Sequence, residues 1–239
     1  MGGLVRTLAM IALMAGLAIG ALVWRDHRPD PGPSIAEARS TFPNRLKAKG
    51  LAMGQPVFIR IFKQEAELEL WMKAKSGWTL FQTYGICRYS GKLGPKLVTG
   101  DKQAPEGFYQ VGLGQLNPAS RWHVSFNLGF PNQFDRAHGR SGSFLMVHGG
   151  CSSAGCYAMT NAGVDDIYRL VEAGLQNGQR AVDVHAFPFR MTEKAMASHA
   201  PSQWLSFWHD LKPAYDRFET RREVPGIAVI GGKYRLAGN

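Results

Sequence analysis

The chain has 239 residues, 45% of them hydrophobic, and a formal net charge of +10 at pH 7 with neutral histidines. That length suffices for one hydrophobic core, or for one domain with appendages. The positive charge favours anionic partners such as carboxylate-bearing polymers or lipid headgroups. From charge alone, however, a solvated basic face without a partner is the preferred interpretation. Nucleic acid is a poor fit because no recognised binding motif appears.

The first 28 residues predict an export signal. An uncharged, almost wholly apolar run extends from Thr7 to Trp24 and is flanked by Arg6 and Arg25. It approaches the ~20 residues that span a bilayer, and no clean Ala-x-Ala site closes it. A cleaved signal peptide and a retained membrane anchor both stay open, and the anchor would bring membrane contact through this segment. Either one separates the chain from nucleic acid.

Residues 29–54 are predicted to form a linker and a helix. Prolines at positions 31 and 33 cannot continue a helix. Ser34 is suited to be an N-cap, with Glu37 at the capping-box position, for a helix that runs to about Lys49 and ends at Gly50.

Short strands at hairpin spacing are predicted next. They cover residues 57–62, 68–72, 78–84, 108–111, 122–126 and 143–147, with a further strand at 182–187. This pattern favours an antiparallel sheet system, either a sandwich or a barrel-like fold.

Two helices are predicted in the second half of the chain. Asn161 is interpreted as the cap of a helix through about residue 176, and Asp165 and Asp166 as first-turn residues favoured by the helix dipole rather than as a catalytic pair. The other helix covers about 202–221, where Pro213 is expected to bend or interrupt it. The basic, Gly-rich end after Arg222 is expected to be mobile.

The stretch 144–157 carries the strongest chemical signal. An apolar run leads to His148 and a Gly-Gly turn, and Ser153-Ala154-Gly155-Cys156 follows in the same loop. A thiol becomes a good nucleophile when an imidazole or a positive environment favours the thiolate, and the attacked carbonyl needs amide donors. We therefore predict Cys156 as nucleophile and His148 as base, with Gly155 in the oxyanion turn. Ser153 either orients His148, hydrogen-bonds the intermediate or only shapes the turn.

Other uses of the three cysteines stay open. Cys151 competes with Cys156 for any thiol role, and a disulfide between the two would consume the nucleophile. Zinc binding by His148, Cys151 and Cys156 lacks the usual Cys-x-x-Cys pair, so no metal is predicted. Cys87 is expected in the core or in the wall of the cleft.

These motifs resemble a known family. His148-Gly149 followed by Ser153-x-Gly155-Cys156 is similar to the signature of YkuD-type L,D-transpeptidases, and 100–109 is similar to the family's Gly-Asp-x-x-Thr-Pro-x-Gly segment. The stretches 87–96, 135–140 and 155–160 resemble specifically the YafK-like branch. The resemblance covers roughly residues 55–195.

Two departures from the main family stand out. Ala154 occupies the place where many members have a second histidine, so that side chain cannot be essential here. The spacing from His148 to Cys156 (156 − 148 = 8) is also shorter than in the main family. The short spacing is itself a feature of the YafK-like branch.

The resemblance implies a β-rich mixed α/β domain at 55–195, with attached helices and a C-terminal helical extension and basic tail at 196–239. It implies a periplasmic enzyme without a cofactor that acts on peptidoglycan stem peptides. Its nucleophile would attack an L,D peptide bond at meso-diaminopimelate and form a thioester. An amine acceptor gives transpeptidation, and water gives hydrolysis; the branch favours hydrolytic release of a peptidoglycan-linked lipoprotein. A catalytically idle wall-binding domain is the alternative.

Four further residues are candidates for substrate contact. Arg136 and Arg140 match a carboxylate through their guanidinium groups, although surface salt bridging is the stronger expectation for each. His138 lies between them in the branch-like stretch and would line the cleft. Tyr157 follows the nucleophile directly.

Overall fold

The computed structural model of the protein describes residues 32–237. Its helices are α1 (Ile35–Ala48), α2 (Gln133–Ala137), α3 (Asn161–Gln176), α4 (Glu193–Ser198) and α5 (Leu205–Arg221), with a 3₁₀ turn at Leu113–Gln115. Its strands are β1 (Val57–Phe62), β2 (Glu67–Ala74), β3 (Gly77–Tyr89), β4 (Gly107–Val111), β5 (Leu116–Asn117), β6 (Ser125–Asn127), β7 (Met146–His148), β8 (Tyr157–Met159), β9 (Val182–Phe187), β10 (Ile227–Ile230) and β11 (Lys233–Leu236).

Nine of these strands form one sheet in the order β4-β9-β1-β2-β3-β8-β7-β6-β5. Two of its pairs, β1 with β9 and β7 with β8, are parallel. The other six pairs are antiparallel, as the sequence predicts, and β9 lies parallel to β1 because α3 returns the chain from β8 to the far side of the sheet. The side-chain amide of Gln115 donates to the carbonyls of Gln110 and Asn127, which links the two ends of the sheet. The result is the predicted β-rich mixed α/β fold with a nearly closed sheet.

The first helix begins as its sequence predicts. The Ser34 hydroxyl accepts from the Glu37 N–H at 3.2 Å, and the Glu37 carboxylate accepts from the Ser34 N–H at 2.8 Å. These reciprocal bonds satisfy two donors that the first helical turn leaves free. The apolar face of α1 then packs Phe42 and Leu46 into the main core.

The helix α3 has the predicted bounds but a different cap. Thr160 is the N-cap, because its hydroxyl accepts from the Gly163 N–H at 3.0 Å. The side chain of Asn161 instead accepts a hydrogen bond from the Gly150 N–H at 2.9 Å. Asn161 therefore holds the loop after His148, a role that the capping interpretation missed.

The acidic pair of α3 binds α1 and does not lie in the first turn of its own helix. Arg39 contacts both oxygens of Asp165, at 2.6 and 2.8 Å, and Arg45 contacts Asp166 at 2.6 Å. The two carboxylates thus fix α1 on α3. The reason for not proposing them as a catalytic pair is therefore these contacts with α1, and not the helix dipole.

Two predicted strands are shorter than expected because single residues adopt left-handed backbone. His123 has φ +73° and Phe144 has φ +55°. This conformation interrupts an extended strand, so β6 begins only at Ser125 and β7 only at Met146.

The C-terminal segment is built into the fold. The helix α5 continues through Pro213 and places Trp208 and Tyr215 in a second core cluster with Phe62 of β1 and Phe187 of β9. The chain after Arg222 forms the hairpin β10–β11, from which Tyr234 packs into the same cluster. The expected mobile tail is therefore an ordered hairpin.

A buried ion pair joins β1 to the segment that precedes β4. Lys63 and Glu106 are fully buried and 3.0 Å apart. The Lys63 ammonium also donates to the carbonyls of Lys92, Gly94 and Ala104 at 2.9–3.0 Å, so all three of its donor directions are used. Desolvation lowers the pKa of Lys63, and the Glu106 carboxylate opposes that shift.

No helix within residues 32–237 is long and apolar enough to cross a membrane. The predicted export segment, including the apolar run from Thr7 to Trp24, lies outside the described residues.

Removing one charge of the buried pair should destabilise the fold. Glu106→Gln leaves the Lys63 charge without its counter-charge, and we expect a loss of about 3–5 kcal/mol in the free energy of unfolding, measured by denaturant titration. Glu193→Gln is the matched control, since Glu193 pairs with Lys212 at the surface, and its effect should be much smaller. A loss below about 1 kcal/mol for Glu106→Gln would contradict the role assigned to the pair.

Candidate active site

Strand pairing brings His148 and Cys156 to the same face of the sheet. In the parallel pair β7–β8, Val147 lies opposite Tyr157, and both side chains are buried. Side chains alternate between the faces of a strand, so the flanking residues His148 and Cys156 project to the other face. The two lie diagonally across adjacent strands. Sequence proximity alone could not establish this arrangement.

The thiol of Cys156 is free and partly exposed. Its sulfur accepts a hydrogen bond from the Met146 N–H at 3.4 Å and lies 3.6 Å from the Phe144 carbonyl oxygen. Burial raises the pKa of the thiol above its ordinary value, and the Met146 N–H and the Lys96 charge only partly offset this. The resting state is therefore a neutral thiol at pH 7.

The imidazole of His148 is held in one orientation. Its side chain is buried, and Nδ1 lies 2.6 Å from the Gly149 carbonyl oxygen. A carbonyl oxygen only accepts, so Nδ1 carries the proton and Nε2 keeps its lone pair. The Trp122 ring covers the imidazole at 5.9 Å between centroids. Burial lowers the pKa of His148, against the effect of the bond to Gly149, so the ring is neutral at pH 7.

The turn before Cys156 is fixed by two serines. The Ser153 hydroxyl accepts from the Cys156 N–H at 3.1 Å and donates to the Cys156 carbonyl at 2.6 Å. Ser153 thus shapes the turn, one of the three roles considered. The Gly155 N–H, predicted for the oxyanion, donates to the Ser90 hydroxyl at 2.5 Å. Ser90 lies in the branch-like stretch 87–96, but the sequence alone assigned it no role.

A disulfide between Cys87 and Cys151 ties the loop after His148 to β3. The two Cα atoms are 5.1 Å apart, within the usual range for a disulfide. Cys151 is therefore not paired with Cys156, and Cys87 is not simply a wall residue. A zinc site built on His148, Cys151 and Cys156 also loses its middle ligand to this bond. Among residues 32–237, no group of three or more His, Cys, Asp or Glu side chains is placed to hold a metal.

The segment 96–103 forms an ordered loop around Asp101. Its carboxylate binds the Lys96 ammonium at 2.5 Å and accepts the N–H groups of Leu97, Val98 and Gln103. Although burial acts to raise it, these hydrogen bonds hold the pKa of Asp101 at about 2. Lys96 is thereby held in place, and its charge acts on Cys156. Neither residue was predicted as part of the site.

The four predicted substrate contacts have different environments. Arg140 is buried and binds Asp135 at 2.8 Å, and the Tyr157 hydroxyl donates to the Pro105 carbonyl from a fully buried ring. Both side chains are too deeply buried to contact a substrate, and we no longer propose them as contacts. His138 is exposed and stacks on Phe134, with centroids 4.1 Å apart.

Arg136, the fourth of these residues, is exposed and donates to the Pro131 carbonyl. It and His138 therefore remain as accessible candidates.

Comparison with known proteins shows the family to which the chain belongs. The model of the YkuD family, described as the L,D-transpeptidase catalytic domain, matches residues 59–184. YafK of Escherichia coli (strain K12), named as a candidate L,D-transpeptidase, is 48% identical over 200 residues, which are 84% of this chain and 81% of YafK. The chain therefore belongs to the YkuD family of L,D-transpeptidase catalytic domains. It is an enzyme of the L,D-transpeptidase type that modifies peptidoglycan, as the resemblance implied.

Two solved structures are also similar. The helical cell shape determining protein Pgp2 from Campylobacter jejuni has a TM-score of 0.45 and 15% identity, over 82% of this chain and 84% of the Pgp2 chain. A point mutant of Pgp2 has a TM-score of 0.46 and 18% identity, over 78% of this chain and 66% of that chain.

The disulfide can be counted directly. Without reductant, the denatured protein should titrate one thiol, Cys156, and after reduction three. Replacing Cys87 and Cys151 together by serine should lower the free energy of unfolding by roughly 4 kcal/mol, because the bond closes a loop with a sequence separation of 64 residues. Three titratable thiols in the unreduced protein, or a bond that includes Cys156, would refute the pairing.

Alkylation of Cys156 should report its raised pKa. We expect the rate of reaction with iodoacetamide to rise with pH and to reach its midpoint above that of an ordinary cysteine thiol, since only the thiolate reacts. Lys96→Met should move the midpoint higher still, whereas Lys194→Met, at the exposed start of α4, should leave it in place. A midpoint below pH 7 would instead indicate a preformed thiolate–imidazolium pair.

Proposed function

We propose that this protein is a cysteine-dependent peptidoglycan enzyme that acts at L,D peptide bonds of meso-diaminopimelate through a thioester. The observation that carries the proposal is the placement of a free thiol and a neutral, oriented imidazole on adjacent segments of the sheet. Cys156 is free while the other two cysteines are bonded to each other. His148 lies on the neighbouring strand and presents an unprotonated Nε2.

The chemistry follows from these two groups. Nε2 of His148 takes the thiol proton as the Cys156 sulfur attacks the peptide carbonyl, and a C–S bond forms. The C–N bond then breaks, and the same proton goes to the leaving amine. The product is a thioester on Cys156 with a neutral His148. An acceptor amine or water releases the acyl group and returns the proton to sulfur.

The oxyanion of this step needs backbone donors. The N–H groups of Gly155 and Cys156 donate to the hydroxyls of Ser90 and Ser153. A negatively charged oxygen is a stronger acceptor than a hydroxyl, so we propose that the developing oxyanion replaces Ser90 on the Gly155 N–H. Gly155 has φ +111°, a conformation that glycine alone adopts without strain.

Water is the acceptor that we propose, and a lipoprotein joined to the diaminopimelate residue is the proposed leaving group. The support is the similarity of the motifs around Lys96, His138 and Cys156 to the YafK-like branch. The proposed location is the periplasm, reached through the N-terminal apolar segment, which is either cleaved or retained as an inner-membrane anchor.

Mass analysis of the products tests donor and acceptor together. The full-length protein is incubated with tetrapeptide muropeptides alone, and with muropeptides that carry a covalently linked lipoprotein. Release of the lipoprotein with addition of one water supports hydrolysis, and a new dimer supports transpeptidation. Cys156→Ala should abolish either product, whereas Ser152→Ala, an exposed loop change, should retain it. Absence of any product from both substrates would overturn the proposal.

The acid limb of the pH profile should belong to His148. Because burial lowers its pKa below 6.5, the imidazole stays neutral to lower pH, and kcat/KM should persist below pH 6.5 before it falls. His148→Gln should remove the limb and reduce kcat/KM by about a hundredfold or more, the usual contribution of a general base. His138→Gln is the control, and near-normal turnover of His148→Gln with the same acid limb would make His138 the first suspect as base.

A further inference from the structure

A groove of about 530 Å³ lies away from Cys156 and His148, where β4 and β9 meet the segment after α5. Its floor contains Phe108, Gln110, Asp183 and His185. The strand register places Phe108 opposite His185 and Gln110 opposite Asp183, so the four side chains share one face of the sheet. The segment 224–229 forms the opposite wall. A volume of this size is typical of sites for small molecules.

The floor combines a buried imidazole, His185, with two more accessible polar side chains, Gln110 and Asp183. His185 is 1% exposed, and its Nδ1 has no hydrogen-bond partner among the described residues. Burial and the nearby Arg60 charge lower its pKa to about 3, so the ring is neutral. Asp183 accepts one internal hydrogen bond, from Gln110 at 2.9 Å. Because Nδ1 of His185 is itself fully buried, Gln110 and Asp183 are the floor side chains that remain to pair with a bound hydroxyl or amide.

The rest of the lining is largely apolar. Trp78 is its partly exposed ring, Phe108 and Tyr234 are buried beside it, and Gln133 adds an amide. The charged side chains are one acid, Asp183, and one base, Arg136, in a chain whose net charge is +10. The groove therefore fits a neutral ligand with many hydrogen-bonding groups and at least one apolar face.

We propose that this groove binds sugar units of a peptidoglycan glycan strand. The inference rests on the proposed function for the source of the sugar, but its chemistry is that of the groove. A pyranose ring has an apolar C–H face that packs on an aromatic ring, and hydroxyl and acetamido groups at its edge that pair with carboxyl and amide groups. Bound there, the glycan would keep its stem peptides near the enzyme.

A stem peptide fits the groove less well. Peptides often bind by adding a strand to a sheet edge, but the groove exposes a face of side chains. Near it, the Gln110 carbonyl of the end strand β4 is already occupied by the Gln115 amide at 3.0 Å. The several carboxylates of a stem peptide would also need several cations, and the groove lining offers only Arg136.

Calorimetric titration of the full-length Cys156→Ala protein tests the proposal without turnover. The probes are neutral N-acetylglucosamine oligosaccharides, as the glycan without stem peptides, and, separately, a free stem tetrapeptide. We expect the glycan to bind and Trp78→Ala and Asp183→Ala each to weaken it at least tenfold. Gln133→Ala, an exposed change with little effect on folding, should weaken it severalfold. Phe144→Ala removes an exposed aromatic ring outside the groove and should change affinity less than twofold.

Three results would overturn the proposal. They are binding of the tetrapeptide but not the glycan, no glycan binding at millimolar concentration, and equal affinity of the parent and all three groove variants. Near-UV circular dichroism of each variant separates lost binding from lost folding. The protein titrated here is Cys156→Ala, which lacks the proposed nucleophile. The calorimetric result therefore does not depend on the muropeptide assay, and either experiment can fail while the other succeeds.

Discussion

The buried contact between Lys63 and Glu106 is the interaction on which the site depends most. A dehydrated ammonium must find a counter-charge and acceptors, and Lys63 finds them in Glu106 and in three carbonyls of the segment 92–106. The second oxygen of Glu106 accepts from the Trp208 indole at 2.9 Å, so α5 is held by the same group. The segment is thereby fixed between sheet and helix, and the loop around Asp101 forms within it.

The nucleophile turn is held from two sides. On one side the segment 92–106 contacts it, since the Ser90 hydroxyl donates to the Lys102 carbonyl while accepting from the Gly155 N–H. On the other side the loop after His148 is held covalently by Cys151 and by a hydrogen bond from the Gly150 N–H to the Asn161 side chain. Neither strand of the pair β7–β8 is longer than three residues. Such short strands position side chains accurately only when their neighbours fix both ends, so the supporting contacts matter as much as the strands.

Features set by local sequence were predictable, and those set by distant contacts were not. The bounds of β1 and β9 were predicted from their local sequence, and the start of α1 from the Ser34 capping box. The bond between Cys87 and Cys151 joins residues 64 positions apart, and two nearby cysteines made the wrong pair look closer. Asn161 likewise carries the residue type of a cap but binds a loop eleven residues earlier. A local pattern indicates which bonds a residue type can form, and the tertiary structure determines which of them it forms.

Burial sets the resting state of the candidate catalytic pair. Desolvation penalises the charged form of each group, so it raises the pKa of Cys156 and lowers that of His148. Both shifts favour the neutral thiol and imidazole over the ion pair. Proton transfer then has to accompany attack on the substrate. A thiol is far less prone than a thiolate to oxidation and to exchange with disulfides. The bond between Cys87 and Cys151 forms in oxidising surroundings. There, the burial that makes Cys156 less reactive in the absence of substrate also protects its thiol from oxidation and from exchange with disulfides.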